Sequence, residues 1–244
     1  MQLLKDIWTV NREAVSRALP KLRYTPFLAV AYLFYQVIHL LVGMVRSQLG
    51  AGGGFLWGFV VYFVNIALMA HFLTLMSSVI QYGRLTAADL TSSRFSDLMR
   101  PLMQVYFVFY IVELLFGMTI SPILPGLVTA IILIAWEAFK TPVPESVYLS
   151  NRFGMEAIRH AVDFWTNSWA QWLPLVIVGL GIQYTVGIRV QIFASGINWR
   201  FLAGNLLIGL AFAAWMIWRG ELFVILDGSS MRSREFRRRS GGWH

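Results

Sequence analysis

Residues 151–174 read NRFGMEAIRHAVDFWTNSWAQWLP. With 3.6 residues per helical turn, Met155, Ile158, Val162, Trp165, Trp169 and Trp172 fall on one apolar stripe. Glu156, Arg159, Asp163, Asn167 and Gln171 fall on other faces. Leu173-Pro174-Leu175 then opens an apolar run. The stretch therefore predicts a helix lying along a membrane surface and turning into a spanning helix.

Outward from it, the apolar runs repeat. Downstream lie a fifth span at 173–190, a short loop, a sixth span at 201–226 and a basic tail at 227–244. Upstream, 140–151 carries Pro142 and Pro144 and reads as a loop. Before it come spans at 27–45, 55–80, 102–118 and 123–139, each long enough for a bilayer core of about 30 Å. Arg46 to Gly54 reads as a Gly-rich turn, and Thr119-Ile120-Ser121-Pro122 as a tight one. Residues 81–100 are polar, with a weak amphipathic signal. Met1 to Leu22 reads as an amphipathic helix with Leu4, Trp8, Val15, Leu19 and Leu22 on one side, interrupted by Asn11. Charges at Lys5, Asp6, Arg12, Glu13 and Arg17 break any continuous apolar core there, which argues against a cleavable signal. The expected fold is an all-α membrane protein of six spans in three hairpins, with amphipathic helices on the cytoplasmic side.

Composition agrees. The chain of 244 residues is 57% hydrophobic and 13% charged, about half the charged fraction of a soluble domain. Ten Trp, nine Tyr and eighteen Phe suit aromatic belts at membrane interfaces. There is no cysteine, which excludes disulfides, thiol catalysis and cysteine-held iron–sulfur clusters. Threaded through six spans, seventeen of the twenty basic residues fall on the side of the termini, and only Arg46, Arg189 and Arg200 on the other. By the positive-inside rule both termini are cytoplasmic, in a bacterial-type inner membrane. The net charge of +8 is thus a matter of topology and gives no reason to expect nucleic acid.

A weak repeat relates Glu13-Ala14-Val15-Ser16-Arg17-Ala18-Leu19 to Glu156-Ala157-Ile158-Arg159-His160-Ala161-Val162. Each precedes a proline and a pair of spans, and Leu98-Met99-Arg100-Pro101 sits in the equivalent middle place.

Two resemblances attach to the decisive stretch. Pro144-Glu145-Ser146-Val147-Tyr148-Leu149, Phe153-Gly154-Met155-Glu156-Ala157-Ile158 and the aromatic run into Trp172-Leu173-Pro174 resemble a broad group of bacterial six-helix membrane proteins. That group includes the membrane domain attached to some glycerophosphodiester phosphodiesterases. The resemblance implies six spans with interfacial helices before them, and it covers most of the chain; no phosphodiesterase domain accompanies it. More narrowly, Glu156-Ala157 with Leu173-Pro174 following is similar to the cytoplasmic coupling loop of ABC importer permeases. That likeness implies a helix docking on an ATPase, with Glu156, Arg159, Trp165, Trp169 and Trp172 as the docking residues. The chain departs from the pattern at Ile158, where the family has alanine, and at Val162, where it has glycine.

Polar residues inside spans are functional candidates. Counting 1.5 Å per residue, Glu113 lies roughly 18 Å from the cytoplasmic face. His39, Asn65, Gln183 and Tyr184 come out near the same depth, so four spans can contribute to one polar layer. Such a layer can carry protons or bind a cationic group; equally, it can hold helices together at about 1 kcal/mol per contact. His39 and His71 are each a candidate single ligand for a haem or chlorophyll-type pigment, though nothing in the sequence requires a cofactor. Glu137 and Lys140 are spaced to pair. Arg219 and Glu221 sit where Arg can snorkel to headgroups. Arg232, Arg234, Arg237, Arg238 and Arg239 are placed to attract anionic lipid headgroups. No HExxH, GxSxG, Walker loop or metal-spaced carboxylate cluster occurs. The expected role is a non-enzymatic membrane subunit with other membrane or cytoplasmic proteins as partners. The alternatives are a transporter component, ABC-coupled or proton-coupled through Glu113, and a pigment-holding subunit.

Overall fold

A computed structural model describes residues 2–48, 50–90, 94–192, 199–229, 233–234 and 236, with backbone alone at 2, 46–48, 50–56, 87, 90, 94 and 183–192. Helices account for nearly all of it, and no strand occurs among the described residues. They are α1 (Gln2–Ala18), α2 (Thr25–Gln48), α3 (Gly50–Tyr82), α4 (Ala87–Leu90), α5 (Arg94–Leu115), α6 (Gly126–Lys140), α7 (Val143–Tyr148), α8 (Met155–Ile192) and α9 (Trp199–Leu226). A 3₁₀ segment (Leu19–Tyr24) joins α1 to α2, and a π turn (Phe116–Ile120) ends α5. Five stretches are long and apolar enough to cross a membrane: Leu3–Val45, Trp57–Tyr82, Phe95–Ile120, Gly126–Tyr148 and Trp199–Leu226. The expected fifth span at 173–190 lies in α8, partly where side chains are outside the description. The chain is an all-α protein built like a multi-pass membrane protein.

The boundaries differ from expectation in four places. The glycines at 50–54 begin α3 rather than forming an open turn. Pro101 sits inside α5, so that helix starts earlier than the apolar run. The expected loop at 140–151 contains α7, where Pro142 and Pro144 occupy the first turn, the one place a missing N–H costs nothing. α8 runs unbroken through Pro174 for 38 residues, so surface stretch and span are one rod of about 57 Å. The turn before α8 uses Asn151 (φ 51°) and Gly154 (φ 53°), left-handed conformations that those two residue types tolerate.

α2 packs most extensively on α9, α5 lies along α3, and α8 lies along α9. α1 crosses the end of the bundle that carries the N-terminus, called the base below, against α9 and α8. α7 is wholly buried there. The core thickens toward the base, where Met76, Leu102, Val147, Trp172, Leu222, Phe223 and Leu226 are fully or almost fully buried. α6 is the exception: none of its residues is buried, and it touches the rest near its Lys140 end.

The α1 stripe faces the other way from a soluble protein's, and the α8 stripe does so in part, since its Trp172 is buried. On α1 the buried residues are Asp6, Val10, Ala14 and Ala18, while Leu4, Trp8, Val15 and Leu19 point outward. On α8 the buried line is Ala157, Ala161, Phe164, Ser168 and Trp172, while Met155, Val162 and Trp169 are exposed. Small residues let these helices approach the bundle closely, and the bulky apolar residues are left for the surroundings.

Candidate functional site

The base concentrates the buried charge of the molecule. Glu145 on α7 is fully buried, and both its oxygens are held by Arg219 of α9. Nε donates to one oxygen and Nη2 to the other at 2.8 Å, the fork geometry that gives Arg–carboxylate pairs their strength. The Arg219 guanidinium also lies 4.7 Å over the Trp215 ring. Two residues further along α9, Glu221 accepts from Lys21, which also donates to the Ile80 carbonyl at 2.7 Å. At the edge, Asp6 of α1 accepts from Gln171 of α8 at 2.7 Å and from Arg234 of the tail at 3.1 Å. Arg234 also donates to the Ser229 carbonyl at 2.7 Å and is 1% exposed.

A polar row completes the layer. His160 Nδ1 faces Ser146 Oγ at 2.9 Å, and Nε2 faces Asp227 Oδ1 at 2.9 Å. Ser150 Oγ donates to Asp227 Oδ2 at 2.6 Å. The order Ser, His, Asp is that of a hydrolytic triad. Here, however, Ser146 is 0% exposed and its hydroxyl also donates to the Pro142 carbonyl, so no acyl group can reach it. The row ties α7, α8 and the end of α9 together. Beside it opens a cavity of about 500 Å³ lined by Arg152, His160, Asp163, Asn167, Asp227 and Ser229.

The expected midplane layer is described only in part, and Glu113 takes its partners elsewhere. Glu113 faces α6, accepting from Lys140 at 2.6 Å and Trp136 Nε1 at 2.8 Å. Lys140 also pairs with Glu137 at 2.8 Å, as their spacing predicts. Asn65 is exposed on α3 and His39 is half-buried on α2, so neither joins Glu113. The side chains of Gln183 and Tyr184 lie outside the description. The depth count aligned these residues by level alone and carried no information on direction around each helix.

His71 is engaged as a bundle residue: its Nδ1 lies 2.5 Å from Tyr35 Oη, and its ring lies 6.2 Å from Phe95. Among the described residues no group of three or more His, Asp or Glu is placed to hold a metal ion.

The proposed docking stripe divides. Trp172 is fully buried with Nε1 on Thr141, and Trp165 Nε1 donates to the Phe139 carbonyl. Those two hold the end of α6. Arg159 and Trp169 stay outward, and Glu156 pairs with Arg152 on the surface, a contact worth about 0.3–0.5 kcal/mol. Arg219 does not snorkel, because Glu145 holds it inside. Arg234 is likewise unavailable to headgroups, because Asp6 neutralises it in the interior. Arg232, Arg237, Arg238 and Arg239 lie outside the described residues.

Glu145, His160 and Asp227 were not singled out by sequence. One signal was present: opposite charges at the ends of several apolar helices need partners once buried. The chain matches no family model, no curated protein and no solved structure.

The Asp6–Arg234 tie makes a direct prediction. Asp6→Asn leaves a buried guanidinium without its carboxylate, a change that typically costs about 3–5 kcal/mol. The tail of this variant is expected to be cut several-fold faster by protease added to the detergent-solubilised protein. Cleavage at the wild-type rate would show that the tie does not hold the tail.

Proposed function

We propose that the chain is a non-enzymatic multi-pass subunit of a larger bacterial inner-membrane assembly, with both termini cytoplasmic. The base, with its three buried or half-buried ion pairs and the His160–Asp227 hydrogen bond, is the rigid platform. The observation that carries the reading is α6. Apart from Thr129 it is apolar from Gly126 to Trp136, yet none of its residues is buried. Ile123 before it and Leu127, Ile131 and Ile134 along it are 81%, 75%, 58% and 54% exposed. One side of α6 meets α5 through Ile132, Leu133 and Trp136. Helices in lipid associate through van der Waals contact and close fit, so its remaining flank is offered to a neighbouring helix.

The test uses mild extraction from native membrane and native mass spectrometry. The expected particle is heavier than the 27.8 kDa chain and contains a second subunit in fixed ratio. A cysteine at Ile131, introduced into this cysteine-free chain, is expected to cross-link to that subunit. A solitary protein whose Ile131 cysteine captures only lipid would end the proposal.

A further inference from the structure

The outward face of α1 is a candidate binding surface on the opposite side of that helix from the buried charges of the base. Leu4, Trp8 and Val15 lie within roughly 40° of one another around the helix, and Lys5 and Arg12 occupy the next 60° or so. Leu4 and Trp8 are 72% and 71% exposed, and Leu19 beyond them 59%. Lys5, Arg12 and Arg23 are exposed as well. Lys5 and Arg12 form no ion pair among the described residues, and Arg23 meets no carboxylate there, its guanidinium lying on the Tyr24 ring and donating to the Tyr24 hydroxyl and the Gly83 carbonyl. No carboxylate shares this face: Asp6 is turned inward, and Glu13 is paired with Arg17. The surface is bulky-apolar on one side and purely cationic on the other.

Its depth can be read from the contacts. α1 is tied at one end to Gln171 through Asp6 and Asn11, and beyond its other end Lys21 reaches Glu221. Gln171 and Glu221 stand at one level of the antiparallel pair α8 and α9, because the neighbouring Trp172 and Phe223 rings are 6.2 Å apart. Asp6 and Lys21 are separated by over 20 Å of helix yet meet the bundle at that one level. α1 therefore crosses the bundle and does not follow its axis. The level lies about 33 Å along α9 from Trp199, which is 72% exposed at the opposite end. That distance is close to the thickness of a bilayer core, about 30 Å. α1 thus lies like a collar at the membrane boundary.

We propose that this collar seats in the inner leaflet and selects anionic lipid, Leu4, Trp8 and Leu19 entering the acyl boundary while Lys5, Arg12 and Arg23 hold phosphate headgroups. The site is α1, whereas sequence alone pointed to the arginines of the tail. The proposal rests on the base being the cytoplasmic end, which maleimide access to a cysteine in the tail of sealed vesicles checks separately.

The full chain, with a spin-labelled cysteine replacing Trp8, is reconstituted in nanodiscs of phosphatidylcholine with and without phosphatidylglycerol. The label is expected to be accessible to oxygen and shielded from a water-soluble nickel chelate. Lipids retained by the purified protein are expected to be enriched in phosphatidylglycerol. K5Q/R12Q changes two unpaired surface residues, and each lost charge is expected to lower that enrichment about fivefold. R237Q/R238Q/R239Q is expected to keep most of it. Nickel accessibility at position 8, or loss of the enrichment only in the tail variant, would overturn the proposal. So would a label shielded in native membranes but wet in nanodiscs, which would place a protein on this face.

Discussion

Glu145→Ala is expected to remove most of the folded protein from the membrane. The carboxylate is fully buried and carries both arms of the Arg219 fork. Without it, the guanidinium stays 6% exposed between α7 and α9 with a charge and several donors unmet. Breaking a buried pair from one side typically costs about 3–5 kcal/mol, a large share of the stability of an ordinary domain. The pair itself need not be strongly stabilising, since desolvation offsets its attraction. E145L/R219M therefore provides the sharper measurement. Apolar residues of similar length fill the same space and leave no buried charge. Melting in detergent should be far below wild type for Glu145→Ala and should recover most of the loss in the double variant. If the double variant melts no higher than the single one, the carboxylate is needed for more than satisfying Arg219, and the purely structural account of the pair fails.

That pair also marks what the sequence could and could not show. The spans were legible because each is a long run of apolar residues, and a bilayer demands such runs whatever the tertiary arrangement. The pairing of charges was not, because its members are far apart: 74 positions separate Glu145 from Arg219, and 228 separate Asp6 from Arg234. Local spacing finds Glu137 with Lys140, but it carries no information about such distant contacts. The stripes on α1 and α8 were read as faces turned to the membrane, and on α1 that side does point away from the bundle. Periodicity locates an apolar face, and in water that face turns inward. Beside lipid the bulky face can turn out and a line of small residues pack inward, as Ala14 and Ala18 do on α1 and Ala157 and Ala161 on α8. For the midplane layer, depth follows from counting residues but direction depends on helix rotation, and Glu113 is engaged by Trp136 and Lys140 of α6.

Gly209→Leu is expected to be strongly damaging, because at Gly209 helix α9 lies close against the backbone of α2. A Cβ at Gly209 would stand 3.0 Å from the Ala29 carbonyl oxygen, 3.1 Å from the Ala29 Cα and 3.1 Å from Tyr32. Two of those three atoms are backbone, so no rotamer change relieves the crowding. Ala29 and Leu28 are both fully buried, which prevents α2 from sliding aside locally. Even Gly209→Ala must push the two helices apart by a few tenths of an ångström along their most extensive interface, and overpacking of that kind costs about 1–3 kcal/mol. Gly58 provides the comparison: it is helical and exposed, and a methyl group added there would meet nothing within 4 Å. There alanine removes only the backbone freedom of glycine and is expected to be neutral or stabilising by up to about 1 kcal/mol. The order of melting temperatures should thus be Gly58→Ala at or above wild type, Gly209→Ala below it, and Gly209→Leu lowest. Equal melting of the two alanine variants would mean that α2 and α9 are not in the close contact on which the bundle depends, and that the platform of ion pairs at the base holds the spans without it.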